Sequence, residues 1–380
     1  MMPRIAFCFH HSEASGASIW LQRFLLRCAE LDRENCVAVF PSPSPLAEEL
    51  VAAGIRCASL RVEQVSLAAA GARKKIRLIK NRVVAISDYA ELFRREKIGL
   101  AYVNSSVQIA PMLAARRAGI PFVVHVHEAW RMGRADFLKR LIVRKMAAGA
   151  IFASRCGMKL FGGEPQPDSW LFSPNAADHT LLSAKTNRDQ ARAELGIGVA
   201  QHVFLFMGTL SQRKGVHDLL TGWKELSGEH ADARLLIAGL EDESESNAVI
   251  RDFLARGQTA VKFLGFRKDT ANLLAAADVF VLPSYGEAMP LTIVEAMMAG
   301  VPVIARNVGD IAWLLAEDRG TCFSGGGDAQ LIDAMRAAIE RPEELAMMAT
   351  RAQEFAAREL TWEKQCAQIF QFLTTIKRSH

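Results

Sequence analysis

The sequence predicts an α/β chain made of two doubly wound, parallel-sheet domains, and three observations carry that prediction. Short apolar runs alternate with amphipathic stretches of helical period along most of the chain. The alternation pauses in a polar, proline-containing stretch at 162–189 and then restarts. Finally, 380 residues of which half are apolar are enough to fill two separate cores.

In the first half the strands are expected at Ile5–Phe9, Cys36–Phe40, Ile55–Leu60, Leu100–Val103, Phe122–Val126 and Ala150–Ala153, with helical patterns between most of them. Continuous apolar runs of this kind suit strands covered on both faces, as in βαβ units. In the second half they fall at Val203–Met207, Leu235–Ala238, Val261–Phe263, Val279–Leu282 and Val303–Ala305. Two amphipathic helices are expected between Arg341 and His380. The domains are therefore placed at 1–180 and 181–360, with a last helix at 361–380 packing back on the first domain. Ligand loops are expected at the strand C-terminal ends, the two sets facing a common cleft.

Composition narrows the class. No apolar stretch approaches the roughly 20 residues needed to cross a bilayer, and the N-terminal segment contains Glu13 and no cleavable signal pattern. A cytoplasmic protein is expected, peripheral on the inner face of the plasma membrane if it meets a membrane at all. Seven scattered cysteines without a Cys-x-x-Cys pair read as reduced thiols. The net charge of +5 is uneven: residues 1–184 carry 25 Lys+Arg against 15 Asp+Glu, and the remainder 21 against 26. Much of the excess lies in Arg73–Arg82 and Arg131–Lys145, where cations interleave with apolar residues at roughly helical spacing. Such a face suits either an anionic membrane surface or plain solvent. Three tyrosines and no aromatic-basic interleaving argue against nucleic acid.

The chemistry is expected in loops that leave strands. After Val279–Leu282 the chain reads Pro283-Ser284-Tyr285-Gly286-Glu287-Ala288-Met289-Pro290-Leu291 and continues through Glu295. Pro290 suits the first turn of a helix, where its missing N–H costs nothing. Glu287 then lies in the loop and Glu295 more than a turn inside the helix, which separates the two carboxylates and argues against a glycosidase-like acid/base couple. The free amides of Leu291 and Thr292 make an anion site suited to a phosphate. After Val203–Met207 comes Gly208-Thr209-Leu210-Ser211-Gln212-Arg213-Lys214-Gly215. This loop lacks Walker A spacing, yet Arg213 and Lys214 could hold a diphosphate.

In the first half, the small-residue turn around Gly16 permits close approach of a ligand. His125 and His127 share a face by strand alternation, but no third ligand of suitable spacing makes a metal site. His127, at the strand exit, is the candidate for a polar or catalytic role, and His125 reads as a hydrogen-bonded core residue.

Taken together, Lys214-Gly215, the two glutamates eight positions apart and Val301-Pro302-Val303-Ile304-Ala305 resemble the donor half of GT-B glycosyltransferases of family four. Gly16, His127, Ser173-Pro174-Asn175 and Trp362 extend the resemblance over nearly the whole chain. It implies that Glu295 bonds the donor ribose, Glu287 lies beside the donor sugar, and Ala288, Met289, Pro290 and Leu291 contact the sugar and distal phosphate. Lys214 would neutralise the departing diphosphate, His127 would line the sugar site, and Gly16 would leave room for the phosphates. Members of that family usually retain anomeric configuration and need no divalent metal, so the resemblance implies no cofactor and protein cations that carry the charge.

Departures bear on the site. Thr209 stands where the family commonly has Arg, so Arg213 is the alternative source of a guanidinium; Gly309-Asp310 replaces Gly-Gly, and Asn175-Ala176 replaces Asn-Gly. Base and sugar selectivity are expected from loop shape near Phe266, Arg267 and Tyr285. The reading is a retaining glycosyltransferase that moves a sugar from a UDP, GDP or ADP sugar to a glycan or lipid-linked acceptor in cell-surface polysaccharide synthesis. The alternatives are a nucleotide-sugar epimerase of the same fold and a non-catalytic nucleotide-sugar-binding protein.

Overall fold

Thirteen strands form two sheets in the computed structural model, which describes residues 2–12, 16–60, 72–128, 137–162, 169–178, 188–241, 250, 253 and 260–376, without the side chains of 72–80, 82 and 138. The stretch Arg73–Arg82 opens helix Ala72–Arg95, most of its side chains lying outside the description, and residues 131–136 and 13–15 lie outside the described residues altogether. The chain divides into two compact units, Met1–Pro174 with Trp362–His380, and Asn175–Thr361.

The first unit holds β1 (Ile5–Cys8), β2 (Cys36–Phe40), β3 (Arg56–Ser59), β4 (Leu100–Asn104), β5 (Phe122–Val126), β6 (Gly149–Phe152) and β7 (Trp170–Phe172). Its order is β3-β2-β1-β4-β5-β6-β7, and the described pairings are parallel. The central strands read as unbroken apolar runs because helices cover both faces: every residue of β1, β2, β4, β5 and β6 is buried. The edge strand β3 is instead half-exposed. Helix Trp362–Thr375 belongs to this unit, with the Trp362 ring 5.9 Å from that of Trp20 and Gln365 Oε1 accepting the Trp20 indole N–H at 3.1 Å.

The second unit holds β8 (His202–Met207), β9 (Ala233–Ala238), β10 (Val261–Gly265), β11 (Val279–Leu282), β12 (Val303–Arg306) and β13 (Thr321–Phe323), in the parallel order β10-β9-β8-β11-β12-β13. Its core packs Phe204, Phe206, Trp223, Phe280 and Met297 between sheet and helices. Helices Pro342–Glu359 and Trp362–Thr375 occupy the C-terminal stretch that was expected to be helical.

Two strands, β7 and β13, are absent from the sequence-based expectation. Each has three residues, Trp-Leu-Phe and Thr-Cys-Phe, too short for any period to show. In each sheet the order reverses beside the first strand, between β1 and β4 and between β8 and β11. Such a reversal opens a crevice at the strand C-terminal ends, because the flanking connections depart to opposite faces.

Candidate active site

In the second unit the loops after β8 and β11, neighbouring strands, are packed onto each other. Gly215 makes that packing possible: its φ is +72°, and a Cβ there would lie 2.1 Å from the Pro283 carbonyl oxygen. Tyr285 N–H donates to the Arg213 carbonyl at 2.8 Å, and the Arg213 guanidinium donates to the Gly286 carbonyl at 2.9 Å. Across this seam Lys214 Nζ meets Glu287 Oε1 at 2.6 Å, both side chains being mostly buried. A charge-assisted bond this short is a strong one.

Pro290 is the N-cap residue of helix Leu291–Met298, one position before the first turn where the sequence placed it, with φ −71° and ψ 121°. The correction leaves its effect intact, because the missing N–H still costs no helical bond. The amides of Leu291 and Thr292 have no carbonyl four residues back within the helix, so the anion-attracting end is preserved. Glu295 lies inside this helix and is 5% exposed. Ala288 and Leu291 are half-buried beside it, Met289 and Pro290 buried, and Thr209 and Phe266 exposed on loops after β8 and β10.

Gly309, Asp310 and Asn175, named from the sequence only as departures from the family pattern, hold these loops, as do Arg306 and Asp218, which were not singled out. Gly309, with φ +60°, leaves a space in which a Cβ would stand 2.2 Å from the Glu287 carbonyl oxygen, and Asp310 N–H donates to the Ala288 carbonyl at 2.9 Å. The Asp310 side chain makes no capping bond to helix Ile311–Leu314. Asn175 donates its side-chain amide to the Met289 carbonyl at 2.7 Å and so braces the loop after β11. Arg306, at the end of β12 and 3% exposed, donates to the Pro283 carbonyl at 3.0 Å and to Asp218 Oδ2 at 2.7 Å. It also donates to the Gly325 carbonyl and lies 4.1 Å from the Tyr285 ring centroid. Tyr285 O–H donates to the same Asp218 oxygen at 2.5 Å. A lone cation at the C-terminal end of an apolar strand was the available signal.

In the first unit the polar groups gather after β1, β4 and β5. His127, half-buried, has its Nε2 2.8 Å from Asn104 Oδ1, and Asn104 donates its amide N–H to the Ala17 carbonyl at 2.8 Å. That carbonyl follows Gly16, which opens helix Gly16–Arg27 and is exposed. A Cβ at Gly16 would meet no atom within 4 Å, so the fold itself does not require glycine there. Glu128 accepts from Ser105 Oγ, and from Ser106 Oγ at 2.9 Å. His125 is wholly buried, its Nδ1 2.6 Å from the Tyr102 hydroxyl and its ring 4.0 Å from that of His127.

Burial pushes the His127 imidazole down to about 4, with Glu128 pulling it up and His10 pushing it further down. His10 is likewise lowered to about 4, by burial and then by His11. Both are therefore neutral at pH 7. Among the described residues no group of three or more His, Cys, Asp or Glu is arranged to hold a metal ion.

Residues 187–355 match the family model described as glycosyl transferases group 1. The chain is 29% identical over 257 residues to the UDP-Gal:alpha-D-GlcNAc-diphosphoundecaprenol alpha-1,3-galactosyltransferase of Escherichia coli, covering 62% of this chain and 64% of that protein. It is 26% identical over 294 residues to a GDP-mannose-dependent monoacylated alpha-(1-6)-phosphatidylinositol monomannoside mannosyltransferase of Corynebacterium glutamicum, covering 72% and 76%. The chain spans between half and two thirds of the length of the first curated relatives it matches. Among solved structures, Anabaena HepE in complex with UDP and glucose superposes with a TM-score of 0.81 at 20% identity, covering 98% of this chain and all of the other. WaaG, a glycosyltransferase involved in lipopolysaccharide biosynthesis, gives 0.71 at 16% identity, covering 99% and 100%. These likenesses establish the fold, GT-B, with two Rossmann-like sheets.

Proposed function

We propose that this chain, whose residues 187–355 belong to the group 1 glycosyl transferases, moves a sugar from a nucleoside-diphosphate donor to a hydroxyl of a glycan or lipid-linked acceptor, retaining anomeric configuration. The anomeric carbon's bond to the diphosphate breaks and a bond to the acceptor oxygen forms. The Lys214–Glu287 contact of 2.6 Å carries the reading, because it joins a phosphate-grade cation to a carboxylate beside an open helix start. In this proposal the leaving diphosphate lies over the amides of Leu291 and Thr292 and against Lys214. Glu287 faces the sugar, Glu295 holds the ribose, and Phe266 borders the base. Relatives whose names specify UDP-galactose with a lipid diphosphate, or GDP-mannose with a phosphoinositide, support a nucleotide-sugar donor and a lipid-linked acceptor.

No divalent metal takes part in the proposed transfer, the leaving charge being met by Lys214 and backbone amides. Transfer should persist in EDTA; a loss restored by magnesium or manganese would reject this part. An anionic membrane surface is the proposed meeting place with the acceptor. Helix Phe137–Met146 supports it by exposing Phe137 and Leu141 beside Arg144 and Lys145, and no helix among the described residues is long and apolar enough to cross a membrane.

The test is incubation with UDP, GDP and ADP sugars while nucleotide release is measured with and without lipid-linked acceptor. Release that requires the acceptor is expected with one of the donors. Isomerised donor would point to an epimerase, and nucleotide-sugar binding without turnover to a binding protein; either would end the transferase reading.

A further inference from the structure

We infer that Asn104 is a positioning residue that fixes His127 as the Nε2–H tautomer, so that the Nδ1 lone pair is what the ring offers a substrate hydroxyl. The Ala17 carbonyl oxygen can only accept, so the group facing it at 2.8 Å is the Asn104 NH2. The other end of the same amide, Oδ1, therefore faces His127 Nε2 at 2.8 Å. An amide oxygen has no proton to give, so Nε2 must carry one, and in a neutral imidazole the second nitrogen is then a bare acceptor.

Asn104 is itself rigidly held. Its side chain is wholly buried, and its carbonyl accepts from Gln108 Nε2 at 3.0 Å. The next residue, Ser105, has φ 127°, an unusual value for a residue with a Cβ. Glu128, which follows His127 in sequence, holds that turn through the hydroxyls of Ser105 and Ser106. The two strand ends thus brace each other, and one buried amide links the start of helix Gly16–Arg27 to His127.

The chemical consequence is selectivity, and this step rests on the transferase reading above. A sugar or acceptor hydroxyl can donate to Nδ1, whereas an ether oxygen or a carbonyl would leave that lone pair unpaired. The ring's neutrality, set by burial against Trp20, His125 and Asn104 and helped by His10 against the pull of Glu128, keeps a second proton from reversing the preference at neutral pH.

The experiment uses the full chain with 15N-labelled histidine and no donor. His127 is assigned among the nine histidines from the spectrum of His127→Gln, and its tautomer is read from one- and two-bond ring couplings. The wild type should show Nε2–H at pH 7. Asn104→Leu should give a mixture of tautomers and lower kcat about tenfold with little change in donor KM. Asn104→Asp, which keeps an acceptor facing Nε2, should hold the tautomer and raise the pH at which His127 titrates. Wild-type His127 as mainly Nδ1–H overturns the inference, as does an unchanged tautomer in Asn104→Leu. Should the Leu variant not fold, loss of the Nε2–H form in Asn104→Asp overturns it alone. Absence of sugar transfer in the wild type would refute the transferase reading and leave the tautomer result standing.

Discussion

The two units place polar groups at the same topological position and use opposite chemistry there. Where the order reverses between β8 and β11, the second unit presents a charged pair, Lys214 and Glu287, beside a helix start. Beside the β1/β4 reversal, the first unit presents neutral rings and an amide, His127 and His10, both held near 4, and Asn104, while the Glu128 carboxylate is taken up by the hydroxyls of Ser105 and Ser106. The lesson concerns what each kind of site can recognise. Full charges suit a ligand that is itself ionic, such as a diphosphate, whereas neutral donors and acceptors suit hydroxyls. Different substitutions should therefore damage the two units in different ways.

The largest effect is expected at Lys214. Lys214→Ala removes the cation proposed to meet the leaving group and leaves the Glu287 carboxylate, mostly buried, without that partner. A drop in kcat of roughly 100- to 1000-fold is expected, on the scale of losing one preorganised transition-state partner. Steady-state kinetics check it. A change confined to KM would show that Lys214 serves binding alone, and the charged-versus-neutral contrast would lose its catalytic meaning.

Next comes Arg306. Arg306→Met strips a buried cation from Asp218 while Tyr285 still donates to that oxygen, so a loss of about 2–3 kcal/mol in unfolding free energy is expected, below the full cost of breaking a buried pair. Denaturant unfolding of the full chain measures it. A loss under about 0.5 kcal/mol would place Arg306 among residues that merely sit beside the loops.

How much of this was readable beforehand follows the same division. The second unit's candidate site is concentrated in two short segments, 208–215 and 283–295, so its residue types and spacing are visible in one pass. Even there, Arg306 and Asp218 escaped, and Gly309 and Asn175 were named without their roles, because what these residues do depends on contacts 22 to 114 positions away along the chain, such as Asn175 to Met289. In the first unit almost every link is of that kind: Asn104 reaches back 87 positions to Ala17 and forward 23 to His127. Alternation could put His125 and His127 on one face, yet it could not say which amide meets which ring nitrogen. Strands of four or more residues were legible, the half-exposed edges β3 and β10 included, whereas β7 and β13, three residues each at the end of a sheet, were not.

A smaller effect is expected at Gly309. Gly309→Ala places a methyl within 2.2 Å of the Glu287 carbonyl oxygen at a φ of +60°, so the backbone carrying Glu287 and Ala288 must shift. A cost of about 1–3 kcal/mol is expected, together with reduced transfer, since Glu287 moves with its backbone. Thermal unfolding and kinetics test both, and wild-type activity in a destabilised variant would show that the exact seat of Glu287 does not matter.

The smallest effect separates the units by pH. His10 and His127 have folded-state values near 4 against an ordinary 6.5, so the unfolded chain binds more protons between those limits. Stability supplied by keeping them neutral is complete above about pH 6.5 and falls as the pH drops towards 4. In the second unit His202 is also lowered, by burial first, with Asp278 and Asp232 pulling it back. Denaturant unfolding at pH 7 and pH 5, followed by probes in each unit, should show the greater acid loss in the first. His10→Gln should flatten that loss by a fraction of its size, the other buried histidines remaining. An equal slope in both units, or no change with His10→Gln, would mean that burial of neutral imidazole is not what distinguishes the first unit's polar floor from the ion pair of the second.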